Sequence, residues 1–174
     1  TRTLGQRFNQ RYGDTFVIPD ALIAKQGAKI MSLTDPLKKM SKSDPNPKSY
    51  ISLLDDINII KKRIKSAVTD SDGKVLFDEE NKPGVSNLLT IYSCVTNIPI
   101  NQIEKKYEGM GYAEFKSDLA EAVAEAISPI QKKYFELING DELDKILDDG
   151  QEYAYKLALK KIRKVYNKVG LGRK

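Results

Sequence analysis

The sequence predicts a mainly α protein, a helical bundle preceded by a short α/β segment. Three observations predict it. From Asp55 onward apolar residues recur every three or four positions, the period of a helix with one buried face. Strand-like material is confined to two short apolar stretches within the first 46 residues. The 174 residues are 40% hydrophobic and 30% charged, which suffices for a real core in one domain or two small ones.

Taken in order, Leu4, Phe8 and Tyr12 fall every four residues and predict a first helix closed at Gly13. Phe16-Val17-Ile18 and the run from Ala28 to Leu33 read as strands or extended chain. The stretch from Thr34-Asp35-Pro36 to Asp44-Pro45-Asn46-Pro47 reads as loop, because each proline disfavours helix at the residue before it. This block is too short to build a sheet with both faces covered, so it reads as the tail of a larger domain. Ile57, Ile60, Ile64 and Ala67 then predict a helix with Asp55 as N-cap. A turn over Thr69–Gly73 and a short Val75-Leu76-Phe77 stretch lead to a helix opened by Pro83-Gly84 and running toward Val95. Ile100, Ile103 and Tyr107 mark a short helix ending near Gly109. Phe115, Leu119, Ala122, Ala126, Ile130 and Tyr134 mark a long one that Pro129 should kink or split. The last helix begins at Asp141 and carries Leu143, Ile146, Leu147, Leu157, Ile162, Val165 and Val169 along one side.

Composition excludes several chemistries. With no histidine, the chain has no Ser-His-Asp triad, no Cys-His dyad and no histidine-liganded zinc. The one cysteine, Cys94, excludes an internal disulfide and reads as a small core residue. No apolar run is long enough to span a membrane, and a cytoplasmic protein is the expectation. The net charge of +5 is unevenly spread. Residues 1–66 carry 13 basic and 6 acidic side chains, residues 67–150 carry 8 and 17, and residues 151–174 carry 8 and 1. Two basic ends around an acidic centre suit a phosphate-bearing partner that touches particular surfaces, or simply solvated helix faces. The acidic clusters Asp78-Glu79-Glu80 and Asp148-Asp149 read as solvated loops or helix ends, so no metal site is expected.

The stretch with the most chemistry in it is Lys39-Met40-Ser41-Lys42-Ser43. Two lysines three residues apart, in a hydroxyl-rich loop bounded by Pro36 and Pro45, can place two ammonium groups on one phosphate chain. Ser41 and Ser43 can donate to phosphate oxygens or hold the loop in shape, and Met40 can lie against a base.

These five residues match the KMSKS signature of class I aminoacyl-tRNA synthetases. With Gly27–Leu33, Asp35-Pro36, Asp44–Pro47, Leu53–Asp56, Lys65–Asp70, Pro83–Leu89, Tyr107-Glu108-Gly109 and the terminal Gly170–Lys174, the whole chain resembles the bacterial tryptophanyl-tRNA synthetase family. The resemblance implies residues 1–50 as the closing part of a Rossmann-like catalytic domain. Residues 51–174 would be a helical, anticodon-binding type of domain whose last helix can pack back on the catalytic part. It implies a ligase that forms tryptophanyl-adenylate from tryptophan and ATP, with Mg²⁺ arriving on the ATP, and transfers the amino acid to tRNA(Trp). It implies a homodimer in the intact enzyme. Lys39 and Lys42 would be the catalytic phosphate ligands. Ile30, Met40, Ser41 and Ser43 would complete the nucleotide contacts, Ile30 through its backbone.

The family's HIGH-type motif and tryptophan pocket have no counterpart here. Residue 1 falls in the middle of the family's catalytic domain, and the chain alone is expected not to activate tryptophan. For tRNA the candidates are Lys156, Lys160, Lys161, Arg163, Lys164 and Lys168, with Tyr153, Tyr155 and Tyr166 among them. Tyr166 taken singly reads as a core residue beside Val165, and the lysines as a group as backbone contacts. The rival readings are a tyrosyl-like class I synthetase and a non-catalytic helical RNA-binding module.

Overall fold

The computed structural model describes residues 1–24 and 27–172, so Arg173 and Lys174 of the resembling tail lie outside it. The described residues form helices α1 (Arg2–Tyr12), α2 (Ile57–Lys65), α3 (Pro83–Thr96), α4 (Ile100–Lys106), α5 (Tyr112–Ile138) and α6 (Glu142–Val169). They group into two compact units, one of residues 23–135 and the other of residues 1–22 with 136–174.

The unit of residues 23–135 carries the hydrophobic core. Ile60 and Ile64 of α2, Val85, Leu88 and Leu89 of α3, Ile103 of α4, and Phe115, Leu119 and Val123 of α5 are buried together. Tyr107 and Phe115 meet edge to face at 5.3 Å, and Tyr92 lies 6.1 Å from Phe115. Such aromatic pairs add about 0.5–1.5 kcal/mol each beyond the area they bury. The tyrosine hydroxyls stay satisfied: Tyr107 Oη donates to Asp118 at 2.6 Å and lies 3.2 Å from Tyr92 Oη.

In the other unit α1 and α6 bury no residue completely, and polar contacts organise the chain after α1. The α1 helix closes at Gly13, whose φ of 75° suits glycine, as the Leu4-Phe8-Tyr12 spacing predicts. The following Thr15-Phe16 segment is not a strand. Asn9 replaces a strand partner: its Oδ1 accepts from the Thr15 and Phe16 N–H groups at 3.1 and 2.9 Å, and its Nδ2 donates to Phe16 O at 2.7 Å.

Several sequence expectations need correction. Among the described residues there is no β-strand, only one antiparallel bridge between Met31 and Lys39. The α2 N-cap is Asp56, whose carboxylate accepts from Asn58 N at 2.8 Å. Asp55 instead pairs with Arg63 and accepts from Ser52 N. Pro129 does not split α5, which runs unbroken through it. The buried face of α5 moves to Val123 and Ile127, leaving Ile130 and Tyr134 exposed. Asp141 occupies the N-cap position of α6 but makes no side-chain capping bond. Cys94 is exposed rather than core, because it sits on the outer side of α3 where its Sγ faces Gly27. Tyr166 is exposed as well, since α6 buries nothing fully in its own unit.

Candidate functional site

The signature residues sit on a short hairpin held to the helices of their own unit. Ser32 N donates to Lys38 O at 2.8 Å and Met40 N donates to Ile30 O at 2.9 Å, which frames the Met31–Lys39 bridge. A single bridge pair makes no sheet, so the hairpin borrows its remaining partners. The Asn87 side chain of α3 grips the Met31 backbone from both sides, accepting from Met31 N at 2.8 Å and donating to Met31 O at 2.9 Å. Leu33 N donates to Ser49 O at 2.9 Å, and Val68 N donates to Leu33 O at 2.8 Å. Where the chain leaves the loop, Arg63 of α2 donates to Tyr50 O at 3.0 Å, with its guanidinium 5.7 Å from the Tyr50 ring.

Between these anchors the hydrogen bonds are local. Ser41 Oγ and Ser43 Oγ lie 2.9 Å apart, Asp44 N donates to Ser41 O at 3.2 Å, and Asn46 N donates to Asp44 Oδ1 at 2.8 Å. The signature lysines are set apart from their neighbour. Lys38 is paired to Asp35 at 2.8 Å, and that bond holds the Asp35 carboxyl below and the Lys38 ammonium above their ordinary values. Lys39 and Lys42 are exposed and have no carboxylate partner among the described residues. Ile30 and Met40 are half-buried and pack against the hydrophobic core, so each sends its side chain inward from the hairpin. Ser41 and Ser43 are exposed.

The basic cluster of α6 divides by role. Lys161 Nζ donates to Thr15 O at 2.7 Å and lies 5.9 Å from the Phe16 ring, while Lys168 Nζ donates to Tyr12 O at 2.9 Å. These two sit a heptad apart on one face and bind the end of α1. Lys156 pairs with Glu152 one turn earlier. Lys160, Arg163 and Lys164 are exposed without such partners among the described residues.

The helical unit also holds a cavity of about 740 Å³, walled by Val75, Tyr107 and Met110 and rimmed by Asp72, Lys74 and Glu104. One of its edges is fixed by an ionic knot. Lys82, buried at the start of α3, pairs with Asp70 at 3.2 Å and with Asp72, and Tyr112 Oη donates to Asp70 at 2.6 Å. The Lys82 ammonium beside Asp72 holds that carboxyl far below the usual range. Burial alone would raise Asp70 and lower Lys82; the hydrogen bonds to Tyr112, Asp72 and each other outweigh it, leaving Asp70 lowered and Lys82 raised. These shifts fix the sign of a pH effect. Depressed carboxyls contribute stability above their unfolded value of about 4, lost as pH falls through the folded values. The raised Lys82 contributes stability below its unfolded value of about 10.4, lost only at higher pH still. Denaturant midpoints of the wild type should therefore hold level from about pH 5 to 10 and fall below about pH 4. Lys82→Met should lose most at pH 7 and least near pH 3; an equal loss at both would mean that the knot contributes no pH-linked stability.

Among the described residues no cluster of His, Cys, Asp and Glu could hold a metal ion, and no helix is long and apolar enough to cross a membrane. The knot and its cavity escaped the sequence reading. The available signal was Lys82 directly before Pro83, a cation placed where a helix begins and so needing its own anions.

The loop that carries Lys39 and Lys42 is thus anchored at both ends within its own unit. The sequence profile of the class I tRNA synthetases (W and Y) matches residues 1–128, and the chain belongs to that family. Over all 174 residues it is 62% identical to the Tryptophan--tRNA ligase of Bacillus subtilis (strain 168), covering 53% of that protein. Two solved structures resemble it: the tryptophanyl-tRNA synthetase of Mycoplasma pneumoniae (TM-score 0.88, 31% identity) and that of Campylobacter jejuni complexed with ADP and tryptophan (TM-score 0.65, 30% identity). Each match covers 98% of this chain and 52% of the other. The chain thus spans about half the length of the curated relatives it matches.

Proposed function

We propose that this chain is the part of a tryptophan–tRNA ligase that carries the phosphate-gripping loop and the helical surface for tRNA. The reaction has two steps. The tryptophan carboxylate attacks the α-phosphorus of ATP and releases pyrophosphate, and the tryptophanyl group then passes to the 3′ end of tRNA(Trp). Mg²⁺ arrives on the ATP phosphates and is part of the substrate. The observation that carries the reading is the pairing pattern on the hairpin. Lys38 is paired with Asp35, while Lys39 and Lys42 have no carboxylate partner among the described residues and stand open to a ligand. Cations placed where negative charge accumulates act mainly on the transition state, as charge moves onto the leaving pyrophosphate. Ser41 and Ser43 offer hydroxyl donors beside them, while Met40 and Ile30, whose side chains pack inward, would meet the nucleotide through their backbone.

On the same reading, residues 1–50 serve the nucleotide and residues 51–174 serve the tRNA, with the intact enzyme a cytoplasmic homodimer. Lys160, Arg163 and Lys164 would take phosphates, with Lys156 beside them, whereas Lys161 and Lys168 hold α1. The cavity bounded by Val75 and Tyr107 suits an unstacked base, and its carboxylates can accept from an exocyclic amino group. The test is lysine acylation of the full-length protein, read by mass spectrometry with and without ATP. ATP should protect Lys39 and Lys42 at least several-fold while leaving the exposed Lys48 unchanged. Equal labelling of all three would overturn the nucleotide role and leave a helical RNA binder.

A further inference from the structure

We propose that Asn87 is a positioning residue for Lys39, acting through the backbone of Met31. The inference rests on the nucleotide role proposed for the loop. Asn87 is 6% exposed and sits on the buried face of α3 between Ser86 and Leu88. A buried carboxamide there must have its donor and acceptor satisfied. Both are spent on one residue: Oδ1 takes the N–H of Met31 and Nδ2 gives to its carbonyl. Met31 is the bridge partner of Lys39, and the hydrogen bonds on either side tie Ser32 to Lys38 and Ile30 to Met40. The path from helix to lysine is therefore one side chain and one two-residue ladder. The amide stands where a third strand would be, fixing the plane of the Met31 peptides and with it the place from which the Lys39 side chain departs.

Lys42 lies beyond the last ladder bond, at Met40 N, and its neighbours bond only within the loop. The clamp consequently acts on one signature lysine and not on the other. Loss of the clamp should move Lys39 by a fraction of an ångström to an ångström, enough to cost catalysis while the charge itself remains.

The experiment is a pair of double-mutant cycles in the full-length protein, read as tryptophan-dependent ATP–pyrophosphate exchange. Asn87→Ala should lower kcat about tenfold and change the KM for ATP by less than about threefold. On a Lys39→Ala background the same change should cost less than about twofold, because the group it positions is gone. On a Lys42→Ala background it should again cost about tenfold. Asn87→Asp keeps the acceptor for Met31 N, loses the donor to Met31 O, and should fall between. It serves as the readout should Asn87→Ala not fold. If the Asn87 and Lys39 effects multiply as independent changes, the clamp only supports the fold and the positioning role is overturned. If Lys39→Ala by itself leaves exchange unchanged, the loop's nucleotide role fails instead, and the two failures are distinct.

Discussion

Replacing Lys39 and Lys42 together by alanine in the full-length protein is expected to slow tryptophan-dependent ATP–pyrophosphate exchange by about 10⁴-fold, about 10²-fold for each cation removed. The effect should fall on kcat more than on the KM for ATP. Both lysines stand exposed in solvent, where a resting ground state gains little from them, and their value comes when charge develops on the departing pyrophosphate. Removing the neighbouring Lys38 should cost little by comparison, because Asp35 already occupies it. A double variant that exchanges at the parent rate would remove the basis for assigning the loop a catalytic part.

The second large effect is expected at Gly84. A Cβ built there would overlap Val68 O and lie 3.2 Å from its carbonyl carbon, with Thr69 Cα at 3.4 Å. These are backbone atoms, so no rotamer change relieves the clash. Val68 is not free to retreat either, since its N–H is bonded to Leu33 O and Leu33 N is bonded to Ser49 O. Gly84→Ala should therefore destabilise the fold by about 2–3 kcal/mol, toward the upper end of the usual range for overpacking. In thermal unfolding that is a fall of about 5–10 °C for a chain of this size. An unchanged midpoint would mean that α3 approaches the 68–69 segment less closely than described. The displaced segment supports the hairpin, so a loss of exchange activity should accompany the loss of stability.

The helices were legible because their signals are local. Ile60 and Ile64 announce the buried face of α2, and Phe115 and Leu119 announce that of α5. The signature loop was legible as a string, and the family match over residues 1–128 supports that reading. What could not be read depends on partners distant in the chain. Asp55 and Asp56 are equally able to cap α2, and the choice is made by Arg63, which takes Asp55 into the anchor of the loop's far end. Cys94 is flanked by Tyr92 and Val95, which suggests burial, yet the helix turns it outward. The two extended stretches look like strands because their residues favour strands. Their hydrogen bonds go to the side chains of Asn9 and Asn87, which periodicity does not reveal. Asn87 did leave a trace, as an amide set among Val85, Leu88 and Leu89 on a face that must be buried.

The two cations of the loop differ in their freedom. The chain is pinned at Met40 and again at Ser49, so the eight residues between behave as a strap with both ends sewn down. Lys39 stands at the seam, and only its own four-carbon stem can travel. Lys42 stands two residues past the last pinned N–H, and with about 3.5 Å of reach per residue its Cα can sweep an arc of about 7 Å around that point. Any movement of the strap thus swings one charge about the other, the first held in place by the bridge and the second carried with the strap.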